Sequence, residues 1–225
     1  KYVGLFLISA PLWWVFEALN LRTHNWVYIG AAGFTPLAYA FWTTLSFTTV
    51  VPAVFGTAEL AASFGFIKRL GRGPLIRPDR TTTAGCFLLG WLMLALLLAW
   101  PNVFFPFIWF SLYFIIEPIN VWLGNRSLAD WLKDQDWRPV VALWVGVLMT
   151  AFFWEMWNYF SYPKWVYHVA WGGWLHVFEM PLLGYGGYLP FALELCAFYH
   201  LIMGLLGQKR THYLRLAPAA APGQE

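Results

Sequence analysis

The sequence predicts an all-α fold: a polytopic transmembrane helical bundle of about six spans, with a parallel internal repeat. Three observations predict it. The 225 residues are 60% hydrophobic and only 11% charged, whereas soluble domains carry about 25% charged residues. Six apolar segments approach or exceed the roughly 20 residues needed to cross a bilayer. And an acidic and amide motif followed by W-V-Y is written twice, in "WWVFEALNLRTHNWVY" and in "WEMWNYFSYPKWVY".

The six segments run at about 2–20, 34–60, 84–100, 102–123, 139–159 and 177–206. Pro101 separates the third from the fourth as a tight helical hairpin. Pro36, Pro52, Pro181 and Pro190 lie in the long second and sixth segments. Such breaks are tolerated where neighbouring helices or a cavity satisfy the freed backbone groups. Basic loops orient membrane proteins toward the cytoplasm. Placing "KRLGRGPLIRPDR" inside puts twelve of the fourteen Lys and Arg on that side and leaves only Arg22 and Lys164 outside. The expected location is therefore the bacterial inner membrane, multi-pass, with a cytoplasmic C-terminus.

Residues 1–208 read as a single transmembrane domain, with repeat-like halves at about 1–65 and 102–206, and the tail at 209–225 reads as disordered. The chain opens at Lys1 rather than Met, so residues or a helix could precede it. Cys86 and Cys196 fall in apolar runs and read as buried thiols. The sixteen Trp and eleven Tyr suit the membrane interface.

The two motifs sit at the outer ends of the first and fifth spans, which run in the same direction. Glu17 shares a helix face with Asn20, and Glu155 with Asn158, because each pair is spaced i, i+3. Ionisable groups in a span cost about 2.5–3.5 kcal/mol on insertion scales, which marks them as functional candidates. An acid among water-excluding aromatics suits general acid catalysis. On this reading Glu155 leads, Glu17 and Glu179 assist, and Asn158 and Asn20 orient them. Trp154, Trp157, Tyr159, Trp165, Tyr167, Tyr185 and Glu194 would contact ligand. The structural alternative is that each Glu bonds the other copy's Asn or a re-entrant backbone, tying the repeats together.

Glu179 and Glu194, read on one ideal helix, would lie ~22 Å apart along broadly one face. The intervening G-Y-G-G-Y implies either a broken helix lining a pocket or close helix packing. His168 and His176 could join Glu155 and Glu179 near the outer face. No H-x-x-x-H, E-x-x-H or Cys pair is present, however, so neither a metal nor another cofactor is expected. Nucleic-acid binding is not expected either.

The run from Trp154 to Tyr199, with W-E-x-W-N, K-W-x-Y, F-E-M-P-L-x-G and P-F-A-L-E, resembles an uncharacterised family of bacterial multi-span membrane proteins. More distantly, the layout resembles the membrane-integral lycopene cyclases and the related carotenoid hydratases. That resemblance implies repeated three-helix units, and acid-initiated cyclisation or hydration of a polyene without a metal. The cyclases' P-x-E-E pair has no counterpart here: Pro190 is followed by the single Glu194, and Pro181 is preceded by Glu179. The expected partner is a membrane lipid or isoprenoid pigment. Two alternatives are a non-catalytic accessory subunit of a respiratory or photosynthetic complex, bound to other membrane subunits, and a small transporter.

Overall fold

The computed structural model describes residues 2–209, 213 and 214. Lys1, residues 210–212 and residues 215–225 lie outside the described residues, and with them most of the tail read as disordered. Among the described residues, six helical stretches are long and apolar enough to cross a membrane: Tyr2–Thr23, Pro36–Ala62, Arg80–Ala99, Pro101–Trp122, Arg138–Phe160 and Leu182–Leu205. The chain is accordingly an all-α bundle of multi-pass membrane character.

The first span is α1 (Tyr2–Thr23), followed by a short strand, β1 (Trp26–Ile29). The second span is split into α2 (Pro36–Phe47) and α3 (Val50–Ala62). Thr35 caps α2 by accepting from the Ala38 amide, and Pro36 occupies the first turn, where no amide is needed. The break lies at Thr48–Thr49, just upstream of Pro52, which has no amide to continue the helix. Ser9 of α1 bridges the break: its hydroxyl donates to the Phe47 carbonyl and accepts from the Val51 amide at 3.0 Å. A short α4 (Gly65–Lys68) leads into the basic loop.

The third span, α5 (Arg80–Ala99), is capped by Asp79. The fourth is broken into α6 (Pro101–Phe104), a 3-10 segment at Phe105–Trp109 and α7 (Ser111–Trp122). After the short α8 (Ala129–Leu132), α9 (Arg138–Phe160) forms the fifth span and runs into β2 (Lys164–Tyr167). Strands β3 (His176–Val177) and β4 (Met180–Pro181) form a hairpin. A 3-10 segment at Leu182–Gly187 then enters α10 (Tyr188–Leu205). Glu179 therefore sits in the hairpin turn and not on a continuous helix with Glu194, which corrects the expectation of one shared face. The left-handed backbone of Phe178 (φ 60°) and the imino residue Pro181 break what hydropathy alone reads as helix.

The ends of the bundle differ in charge. The loop after α4 meets the loop before α9 through Gly73 N–H to Gln135 O (3.0 Å) and the Trp137 indole to Pro74 O (2.9 Å). Lys68, Arg69, Arg72, Arg77, Arg80, Arg126, Lys133 and Arg138 lie in these two loops or in the helices that border them. At the other end, Arg22 donates to Leu98 O, and the Trp171 indole to Val103 O.

The most extensive helix contact is α3 on α9. It is built from small residues, as packing in lipid requires. Ala58, Ala61, Ala142 and Val147 are fully buried there, and the Thr57 and Thr150 hydroxyls bond across at 2.7 Å. A Cβ added at Gly146 would lie 2.5 Å from the Ala58 backbone nitrogen. Gly146→Val is therefore expected to force the helices apart and cost about 1–3 kcal/mol. Gly85→Ala, whose Cβ would meet open space, should leave the melting temperature in detergent unchanged or slightly raised.

Candidate functional site

The repeated motif is built the same way in both copies. In the first, the Asn20 amide donates to Trp26 O at 2.8 Å, and its oxygen accepts from Trp26 N–H at 3.3 Å. In the second, Asn158 donates to Trp165 O at 2.8 Å and accepts from Trp165 N–H at 2.9 Å. Each side chain replaces a missing strand neighbour at the C-terminal end of its own helix. The Tyr at the third position of each W-V-Y then donates to its own acid: Tyr28 to Glu17 Oε1 at 2.6 Å, and Tyr167 to Glu155 Oε1 at 2.6 Å. Alternation along a strand puts Trp and Tyr on one face and Val on the other.

The two strands pair antiparallel, with Trp26 opposite Tyr167, Val27 opposite Val166 and Tyr28 opposite Trp165. A pseudo-twofold relation thus passes through the two valines. Because β1 follows α1 and β2 follows α9, both helices end at the same side of the bundle, which is the parallel repeat expected. The union is made by backbone pairing of the strands. Neither Glu bonds the other copy's Asn.

The acids are elaborated differently. Glu17 Oε1 also accepts from the indoles of Trp13 (2.9 Å) and Trp26 (3.1 Å). Glu155, fully buried, also accepts from Tyr188 at 2.6 Å, while its Oε2 is buried with no hydrogen-bond partner among the described residues. In the loops, burial pushes the Tyr28 and Tyr167 phenols well above their ordinary range, and the neighbouring Glu17 and Glu155 push the same way.

Below the paired strands lies a cavity of about 760 Å³, within the range of small-molecule sites. Its wall is aromatic: Trp13, Trp26, Trp109 and Phe191 line it, Trp26 packs on Trp13 and Trp109, and Trp13, Trp109 and Phe191 pack on the buried Phe16 behind them, with ring centroids 5.5–6.2 Å apart. Gly184, Gly186 and Gly187 also line it, Gly187 close against Trp109, so G-Y-G-G-Y is a broken helix bordering a cavity. Exposed Trp42 and Trp157 stand at its rim.

No family model, curated protein or solved structure matches this chain.

Of the residues singled out from sequence, Trp154, Trp157, Asn158, Trp165 and Tyr167 line the cavity. Glu17, Glu155 and Asn20 stand behind the wall, holding it. Glu179 pairs with Lys164, whose ammonium also lies 5.2 Å from the Tyr159 ring, so Glu179 and Tyr159 brace the hairpin outside the cavity. Tyr185 donates to Val177 O at 3.2 Å and also lies outside it. Glu194, fully buried on α10, accepts from the Tyr113 amide at 3.4 Å and satisfies the broken start of α7. His168 and His176 do not join Glu155; they line a separate polar groove with His24. Among the described residues no group of three or more His, Cys, Asp or Glu could hold a metal ion. Sequence reasoning missed Trp13, Tyr28, Trp109 and Tyr188. Tyr28 carried a signal, because both W-V-Y copies end in Tyr.

Replacing Val27 and Val166 with Cys, in a chain whose own two cysteines are changed to Ala, should give an intramolecular disulfide under mild oxidation. Directly opposed strand residues lie within disulfide reach. A mobility shift on non-reducing gels reports it, and shifting one Cys to Tyr28 should abolish it. Because the two phenols resist ionisation in the folded state, stability should hold up to about pH 10 and fall above it, as the unfolded chain releases protons that the folded chain retains. Thermal melts across pH 8–11 on Tyr28→Phe/Tyr167→Phe and on the parent should show a steeper fall in the parent.

Proposed function

We propose that this chain is an inner-membrane protein of a bacterium, C-terminus in the cytoplasm, that holds a polyisoprenoid or similar long apolar lipid in the aromatic cavity. The observation that carries this is the cavity itself. Its size suits a lipid chain, and its lining is overwhelmingly apolar and aromatic. Its rim includes Trp42, Thr43 and Ser46 of α2, which lie within a membrane span, so a ligand can enter from lipid rather than from water. The charge difference between the two ends of the bundle supports the orientation.

The catalytic form of this reading, suggested by the resemblance to lycopene cyclases and carotenoid hydratases, is acid-initiated cyclisation or hydration. Aromatic faces suit a carbocation. Glu155 does not line the cavity, so its proton would have to pass through Tyr167 or Tyr188, residues that do and whose hydroxyls donate to it.

The test fills the cavity. A Cβ at Gly186 meets nothing within 4 Å, and Gly186 lines the cavity. Gly186→Phe is expected to leave the fold intact and to remove at least about 90% of any isoprenoid that co-purifies in mild detergent, a loss of about 1.4 kcal/mol, measured by mass spectrometry of extracted lipid. Retention of only bulk phospholipid by both proteins would overturn the reading. Conversion of a bound polyene that is lost in Glu155→Gln and Tyr188→Phe marks an enzyme. Unchanged lipid together with co-purifying membrane subunits marks an accessory subunit.

A further inference from the structure

A second groove, about 620 Å³, opens at the same end of the bundle. Its polar donors are Arg22, His24, His168, His176, Thr23 and Asn102, and no Asp or Glu lines it among the described residues. Arg22 fixes its Nε on Leu98 O, and its terminal nitrogens take no hydrogen-bonded partner among the described residues. The placement of the histidines is built rather than incidental. His24 itself holds a left-handed backbone (φ 51°), and so do Leu175 (φ 59°), next to His176, and Phe178 (φ 60°). Histidine tolerates that conformation, but Leu and Phe rarely adopt it, and such outliers cluster at ligand clamps. His168 is fixed by its own amide, which donates to Asn25 O at 2.7 Å.

Tyr167, Val169 and Pro181 line both this groove and the aromatic cavity. One thin wall separates them. The groove lies where α1 ends at Thr23 and α6 begins at Pro101, which is headgroup depth for helices of these lengths. A guanidinium fork with imidazole and amide donors, and no carboxylate, matches a phosphate-class anion.

We propose that the ligand is an amphiphile with a phosphate-class headgroup: its apolar chain fills the aromatic cavity and its headgroup sits in the Arg22/His24/His168/His176 groove. This rests on the cavity being a lipid site and names the class of lipid. The Tyr167 wall then has two roles. Its phenol is held by Glu155 on the inside, and the neighbouring His168 contributes to the groove outside.

The test uses the detergent-solubilised full chain and quenching of its tryptophan fluorescence. Three probes are titrated: a polyprenyl phosphate, the matching neutral polyprenol and inorganic pyrophosphate. The phosphorylated lipid is expected to bind about tenfold tighter than the alcohol. Arg22→Gln combined with His176→Gln should bring its affinity down to that of the alcohol while leaving alcohol binding unchanged, which also shows that the variant is folded. Equal affinity for phosphate and alcohol in the parent would overturn the headgroup proposal and leave the lipid reading standing. So would inorganic pyrophosphate binding as tightly as the phosphorylated lipid, because the groove would then be a free-anion site. Failure of both lipids to bind would overturn the cavity reading itself.

Discussion

The bundle turns on two asparagine side chains. A four-residue strand at the outer edge of a membrane protein exposes amides and carbonyls that lipid cannot satisfy. Asn20 and Asn158 each bind both backbone groups of the first Trp in the following strand, and the two strands satisfy each other across the middle. The Trp and Tyr side chains of each W-V-Y are thereby fixed in direction, and the acids Glu17 and Glu155 serve as their anchors. The cavity roof, the separation of α1 from α9 and the position of the histidine groove all follow from that clasp.

The rest of the polar chemistry inside the spans serves the same end. Ser9 joins the two halves of the second span, and Glu194 receives the start of α7. Glu117, on α7, accepts from the Ala129 amide at 2.9 Å and holds α8 in place. Each carboxyl or hydroxyl stands where a broken helix leaves backbone groups exposed. Broken helices line the cavity on two sides, so the polar groups in the membrane make an apolar site possible.

The spans were legible because apolar runs are a local property. The repeat was legible because Glu, Asn and W-V-Y recur in order. What the motif does was not. A four-residue strand is too short to show a period, and its partner lies more than 130 residues away in the chain. The sixth span was overextended because residues 177–181 are apolar enough to read as helix, while the hairpin depends on left-handed residues that hydropathy does not register. Glu194 read as a ligand residue because an acid in a span invites a functional reading. Its true partner is a backbone break in another helix, visible only in three dimensions. The five singled-out residues that line the cavity all belong to the second motif, where aromatic density was highest. Trp13 opens the first copy but has Ala151 at the matching position of the second, and Trp109 and Tyr188 came from segments with no repeated pattern.

In the strand pair, Trp26 meets Tyr167 and Tyr28 meets Trp165, so residue i meets j and j meets i. This is the isologous contact that two identical chains make about a twofold axis. Within one polypeptide the same contact is freed from identity. One copy can keep its acid capped by two indoles and a phenol, while the other trades the indoles for a phenol from a distant helix. A symmetric dimer would have to present a ligand with the same wall twice. The joined form can give its two ends different neighbours, and a molecule lying across the valine axis would have a defined head and tail.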